Sequence, residues 1–330
     1  MIRFLFKLVV FSALLAAFVS VLSRRDIPDH IDYGVSFSKL HADELQLDWK
    51  EVYGAILDDL GVRRLRLTAH WPMIEPKPGV FQFDELDYQM NEALSRDASV
   101  ILVVGRRAPG WPECHNPDWS KDLSQDEREQ HVLSYVASVV NRYKHHATLK
   151  YWQVENEAFL TKFAPEYCGG FSERFLDTEI ALVRSLDPEH PILLTDSGEV
   201  GRWYRAWKRA DVFATSMYLY VWFEPFGPIR YPMGPWYFRA KLNVLELLFG
   251  KKPAILSELG AEPWLAQPIA DSSLEKQLAR MSFDKFNEVI DFAKHSSFSE
   301  QYLWGAEWWF YMKQRGYPEF WNRAKILFAE

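Results

Sequence analysis

From residue 32 onward the chain alternates short β-branched or aromatic runs with longer stretches of helical periodicity, and this alternation restricts the fold more than any other feature. The strand candidates are DYGVSFS (32–38), VRRLRLTAH (62–70), SVILVVG (99–105), LKYWQVE (149–155), PILLTD (191–196), VFATSMYLY (212–220), PAILSE (253–258) and QYLWGAE (301–307). Between them lie helical patterns such as 49–61, 128–144 and 273–294, and Gly61 sits where a helix stop is expected. Eight such alternations without a break in composition predict an α/β fold, a single (β/α)8 TIM barrel. The longest interruption, residues 221–238, is rich in Pro, Gly and aromatics and is predicted to be a loop on the face where the strands end.

The first 25 residues have a different character. Arg3 and Lys7 precede an uncharged run from Leu8 to Ser23, and Arg24 and Arg25 close it. The pattern is that of a signal peptide or an N-terminal membrane anchor, so the chain divides into that segment (1–25), a linker (26–32) and a catalytic barrel (33–330). The expected location is outside the membrane, secreted or anchored by the segment. A net charge of −7 argues against a nucleic-acid partner, which would call for a basic face. No G-x-G-x-x-G, P-loop or H-x-H is present, so no cofactor and no metal are expected. Aromatics, at 16%, exceed what a core needs. Trp71, Trp111, Trp222, Trp236 and Trp264 fall in loop-like contexts, where flat rings suit the flat faces of sugars.

In such barrels the chemistry sits at the C-terminal ends of the strands. The fourth strand runs into YWQVENEAF (151–159), where an apolar run ends in Glu155, Asn156 and Glu157. A carboxylate beside a strand core is costly unless it is paired, solvated or used. Glu258 ends the seventh strand, and carboxylates from strands four and seven can meet over the mouth. Retaining cleavage of a glycosidic bond needs such a pair, about 5–5.5 Å apart, one as acid/base and one as nucleophile. Strand alternation places Glu155 and Glu157 on the same side and does not choose between them. Arg66 on the second strand is positioned to hold a carboxylate ionised, Tyr220 to donate to Glu258, and Trp304 to floor a sugar subsite. His70 ends the second strand and either binds substrate or hydrogen-bonds its neighbours. Glu307, following Trp304, is a further substrate-binding candidate.

These segments together resemble glycoside hydrolase clan A, a superfamily of retaining glycosidase barrels. WQVENE is similar to the clan's fourth-strand ending, which implies Glu157 as acid/base and Asn156 as the residue touching the sugar 2-hydroxyl. ILSELG resembles the seventh-strand nucleophile segment, which implies Glu258. LRLTAHW resembles the second-strand segment carrying Arg66, with His70 and Trp71 at its end, and SMYLY the sixth-strand segment with its Tyr. The chain departs from some relatives in having Tyr218 where they have His. The resemblance implies an oligosaccharide, polysaccharide or glycoside as substrate, and Trp264, one of the loop tryptophans, is the candidate aromatic contact after the seventh strand. A non-catalytic carbohydrate-binding barrel and a transglycosylase using the same residues are the alternatives. Cys114 and Cys168 fall in the loops after strands three and four, which should be neighbours, so one disulfide is the expectation to set against two free thiols.

Overall fold

The computed structural model describes residues 20–160, 168, 172–223, 226–265 and 267–329. Eight parallel strands close into a barrel: β1 (Asp32–Ser36), β2 (Arg64–Thr68), β3 (Ser99–Val104), β4 (Leu149–Val154), β5 (Ile192–Asp196), β6 (Val212–Met217), β9 (Ala254–Gly260) and β10 (Glu300–Trp304). Two short strands, β7 (Tyr220–Phe223) and β8 (Gly227–Arg230), pair antiparallel as a hairpin between β6 and β9. The β1–β10 pairing, Asp32 with Glu300 through Ser36 with Trp304, closes the ring.

Residue type explains the two layers. Ile101, Leu193, Val212, Ala214, Ile255 and Tyr302 form a small apolar cluster inside the barrel. A much larger one lies between strands and helices, where helix faces such as Val132, Tyr135, Val136, Val139 and Val140 pack. The latter helix, Gln125–Tyr143, starts at a reciprocal capping box between Ser124 and Glu127. Tyr302 fills the barrel axis beside Gly34, where an added Cβ would stand 2.7 Å from the Tyr302 ring. A side chain larger than hydrogen does not fit there.

Several boundaries differ from the sequence reading. The sixth barrel strand stops at Met217, because the chain then turns into the hairpin; residues 221–238 are therefore not one loop but hold that hairpin and the start of a helix at Trp236. The eighth strand stops at Trp304, since Gly305, with φ 115°, opens the helix Ala306–Gln314. The helical stretch 273–294 is two helices, Leu274–Arg280 and Phe283–Lys294, the second restarted by the Ser282 side chain as N-cap. Residues 1–19, most of the apolar N-terminal run, lie outside the described residues. Among the described residues no helix is long and apolar enough to cross a membrane.

Cys114 and Cys168 form a disulfide, with Cα atoms 5.1 Å apart. It ties the loop after β3 to the loop after β4, across 54 residues of sequence. In the chain-entropy account, cross-linking a loop of that length removes about 4 kcal/mol of unfolded-state freedom. Reduction, or Cys114→Ser with Cys168→Ser, should lower the unfolding free energy from urea denaturation by an amount approaching that figure, seen as a lower midpoint, without abolishing the barrel. An unchanged midpoint would show that the tie contributes nothing to stability.

Candidate active site

Arg66 stands at the centre of the mouth. It is carried by β2 and almost wholly buried, and its guanidinium reaches three other strands. Nε donates to Gln153 Oε1 (2.8 Å) on β4 and Nη2 to Asn156 Oδ1 (2.7 Å) just beyond it. Nη1 donates to Glu258 Oε2 (2.6 Å) on β9 and lies 3.5 Å from Ser36 Oγ on β1. A buried charge is tolerated when it is paired and hydrogen-bonded, and here each guanidinium nitrogen has an acceptor.

The β4 end departs from simple alternation. Glu155 and Glu157 both have positive φ, 58° and 44°, so the chain bends sharply instead of continuing the pleat. The two carboxylates are separated by that bend. Glu155 accepts from the backbone N–H groups of Arg106 (2.8 Å) and Arg107 (2.6 Å) and stands next to the buried Glu179, so it anchors the loop after β3. Glu157 has its backbone N–H bound by Thr195 Oγ1 (2.7 Å), and its carboxyl lies near Ser216, Glu113 and Glu258. Asn156 Oδ1 accepts from Arg66, Gln153 Nε2 (3.2 Å) and Thr195 Oγ1 (3.2 Å), leaving the amide nitrogen with no acceptor among the described residues.

Glu258 holds a contrasting environment. Its second oxygen accepts from the hydroxyl of Tyr218, so each oxygen has a donor. Burial, then the charges of Glu113 and Glu258, push the Glu157 carboxyl well above the usual carboxylate range, against the Ser216 hydrogen bond and Arg107. The site thus presents one carboxyl biased toward the protonated form and one supplied with donors.

The structure brings together Arg66, Asn156, Glu157, Tyr218 and Glu258, with Trp264 edge-on to the Tyr218 ring at 4.7 Å and partly exposed. Of the other candidates, Tyr220, Trp71 and Glu307 are placed differently from expectation. Tyr220 does not meet Glu258; it lies in β7 and donates to Glu288, because β6 ends three residues earlier and Tyr218 takes the inward place. Trp71 is core, its Nε1 donating to Glu75 Oε2 (2.7 Å) and its ring packed on Trp119 and Tyr135, because the chain turns into a helix at that residue. Glu307 is not on a strand but in the first turn of a helix, fully buried, accepting from the Ser38 N–H (2.6 Å), and burial raises its carboxyl to about 7. His70 is buried against the His115 ring, with Nε2 unpartnered among the described residues, and burial holds its pKa well below that of free imidazole. Trp304 is almost buried, its indole N–H bound by Glu262 Oε1 (2.7 Å) and its face stacked on His41, whose Nε2 lies 2.7 Å from Glu262 Oε2.

Sequence reasoning missed Glu113 altogether. It sits at positive φ in the loop after β3, beside Cys114, and is paired with Arg107 through Nε (2.8 Å) and Nη2. Burial and the charge of Glu258 raise its carboxyl, against the opposing Arg107. The run GWPEC, a loop acid beside a disulfide cysteine, was the available signal.

Residues 48–207 match the family model of β-galactosidase, Glyco_hydro_42. Among solved structures, the GH5_18 protein of Bifidobacterium longum is similar over 84% of this chain and 70% of its own, at 13% identity and TM-score 0.60. An endo-β-1,4-mannanase from Thermotoga petrophila is similar over 84% and 68%, at 16% identity and TM-score 0.55. An exo-β-1,4-mannosidase from an Opitutaceae bacterium is similar over 83% of this chain but 51% of its own, at 16% identity and TM-score 0.52. No curated protein matches the chain. Together with the fold, the family match supports a glycosidase with a barrel of the clan A type. No single family is assigned, because the model covers just under half of the 330 residues.

Two predictions follow from these contacts. Tyr218→Phe should lower kcat by roughly ten- to a hundredfold, the worth of one hydrogen bond to a charged group, while Tyr220→Phe leaves kcat near wild type. Equal losses in the two variants would contradict the assignment. If protonated Glu157 is required, activity falls as pH rises through its raised pKa. Glu113→Gln removes a neighbouring negative charge, so the Glu157 carboxyl ionises more readily and the basic limb of the kcat profile moves to lower pH. A limb that stays put or moves up in pH contradicts this reading.

Proposed function

We propose that the chain is a retaining glycoside hydrolase of β-linked sugars, working by double displacement. The observation that carries the proposal is the contrast between the two carboxyls: Glu157 buried among negative neighbours, Glu258 held by Arg66 and Tyr218. Glu157, protonated, donates to the departing glycosidic oxygen while Glu258 attacks the anomeric carbon and becomes an ester. Loss of the Glu258 charge removes one cause of the raised Glu157 pKa, so Glu157 can then deprotonate the water that releases the sugar. Asn156, its Oδ1 fixed by three donors, offers its amide to the sugar ring, and Trp264 an aromatic edge at the rim.

A variant of the Bifidobacterium GH5_18 protein was solved in complex with Manb1-4GlcNAc. With the β-galactosidase family match, that makes β-mannosides and β-galactosides the first substrates to try. We also take the apolar N-terminal run as an export signal or membrane anchor, which would place the barrel outside the membrane.

Turnover of aryl β-glycosides by wild type, Glu157→Ala and Glu258→Ala, with azide added to the variants, tests the roles. The expected products are an α-glycosyl azide from Glu258→Ala and a β-glycosyl azide from Glu157→Ala. Inverted anomeric configuration in the first wild-type product, read by NMR, would contradict the double displacement.

A further inference from the structure

The helix Trp236–Phe249 ends in three exposed apolar residues, Leu247 (79% exposed), Leu248 (63%) and Phe249 (39%). A helix normally turns such residues inward, and this one does so with Phe238, Leu242 and Leu245. Two basic groups flank the apolar tip. Exposed Lys251 follows it, and the Lys208 ammonium lies 4.8 Å from the Phe249 ring centroid. The nearest acid on the helix, Glu246, is neutralised by Arg25 Nη2 at 2.8 Å. In a chain of net charge −7, this is a local reversal of sign.

The N-terminal segment arrives at the same place. Asn243 Nδ2 donates to the carbonyls of Leu22 (2.7 Å) and Arg24 (2.9 Å), and Arg239 Nε to that of Ser23 (3.0 Å). Asn243 and Leu247 are one turn apart on one helix face. Val21, itself 59% exposed, precedes these contacts, and residues 4–19 before it are apolar or small with one charge, Lys7. The apolar run therefore joins the barrel beside an apolar tip flanked by two basic groups.

We propose that this tip, Leu247, Leu248 and Phe249 with Lys208 and Lys251, is a membrane-seating surface that rests in the headgroup layer of an anionic bilayer. The inference builds on the reading of the N-terminal run as an anchor: the run tethers the chain, and the tip fixes how the barrel sits. Apolar side chains partition into the interface while Lys side chains reach lipid phosphates. The consequence is functional. The helix runs antiparallel to the strands, so its C-terminal tip lies at the end of the barrel opposite the mouth that holds Glu258. Seated this way, the catalytic mouth faces away from the lipid, open to a large carbohydrate.

The test uses the full chain, with its native disulfide, reconstituted in vesicles of phosphatidylcholine with phosphatidylserine and carrying a fluorophore at Leu248→Cys. A second label at Val80→Cys, in the β2–β3 connection on the far side of the ring, is the control. Nitroxide-bearing lipid should quench the Leu248 label and spare the Val80 label, more strongly with phosphatidylserine than without it. Lys208→Gln with Lys251→Gln should remove that dependence on phosphatidylserine. Chain that sediments with vesicles but shows no selective quenching overturns the seating surface and leaves the anchor standing. Chain that does not sediment overturns both. A blue shift of the Leu248 label that needs no vesicles and grows with protein concentration assigns the tip to a second copy, and also overturns the proposal.

Discussion

The Arg66 guanidinium is the contact on which the mouth of this barrel depends. From one buried position on β2 it holds Gln153 and Asn156 at the end of β4 and Glu258 on β9, strands that are not neighbours in the ring. A charge this deeply buried is strongly destabilising if its partners are lost, and the same dependence fixes those partners in place. Asn156 is thereby set at a constant relation to Glu258, and Glu157 follows Asn156 in the chain. The placement of Glu258 and of the residue before Glu157 rests on a planar group with rigid geometry.

Around that centre the protein keeps the two carboxyls chemically unlike. Glu258 receives a donor on each oxygen, from Arg66 and Tyr218. Glu157 is buried beside two other carboxyls, one of them Glu113 on the loop that the disulfide ties down. Environments that push paired acids apart are the usual physical basis for dividing acid and base roles. The loop after β3 thus has an electrostatic part in the site as well as a structural one. Its Arg107 links Glu113 to the β4 side, donating to the carbonyl of Leu160 (2.7 Å).

The barrel was legible because buried parallel strands leave continuous apolar runs, and eight of them are spaced by helical patterns. Glu258 stood out in the sequence by its place at a strand end, whereas strand position left Glu155 and Glu157 equivalent and only the clan A resemblance chose Glu157. Strand termini were not legible, because a strand ends where a tertiary turn takes over. VFATSMYLY reads as one run, yet the chain leaves the barrel after Met217, and that moved the Glu258 partner from Tyr220 to Tyr218. Glu307 was misplaced for the same reason, since Gly305 starts a helix inside an apparently continuous strand. Trp71 was read as a loop aromatic, whereas the turn at His70 carries it into the core. The separation of Glu155 from Glu157 depends on two positive φ angles that no residue preference announces. Glu113 had no periodic context at all, and only the folded β3 loop brings it to the pair.

The proposed mechanism turns on a covalent bond between Glu258 and the sugar. It is tested most directly by incubating the protein with an activated 2-deoxy-2-fluoro-β-glycoside of a sugar it hydrolyses, then mapping the adduct by peptide mass spectrometry. The expected result is one fluoroglycosyl ester, carried by the peptide containing Glu258 and absent from Glu258→Gln. An adduct on Glu113, Glu155 or Glu157, or steady turnover of the reagent with no adduct on any carboxylate, would contradict it.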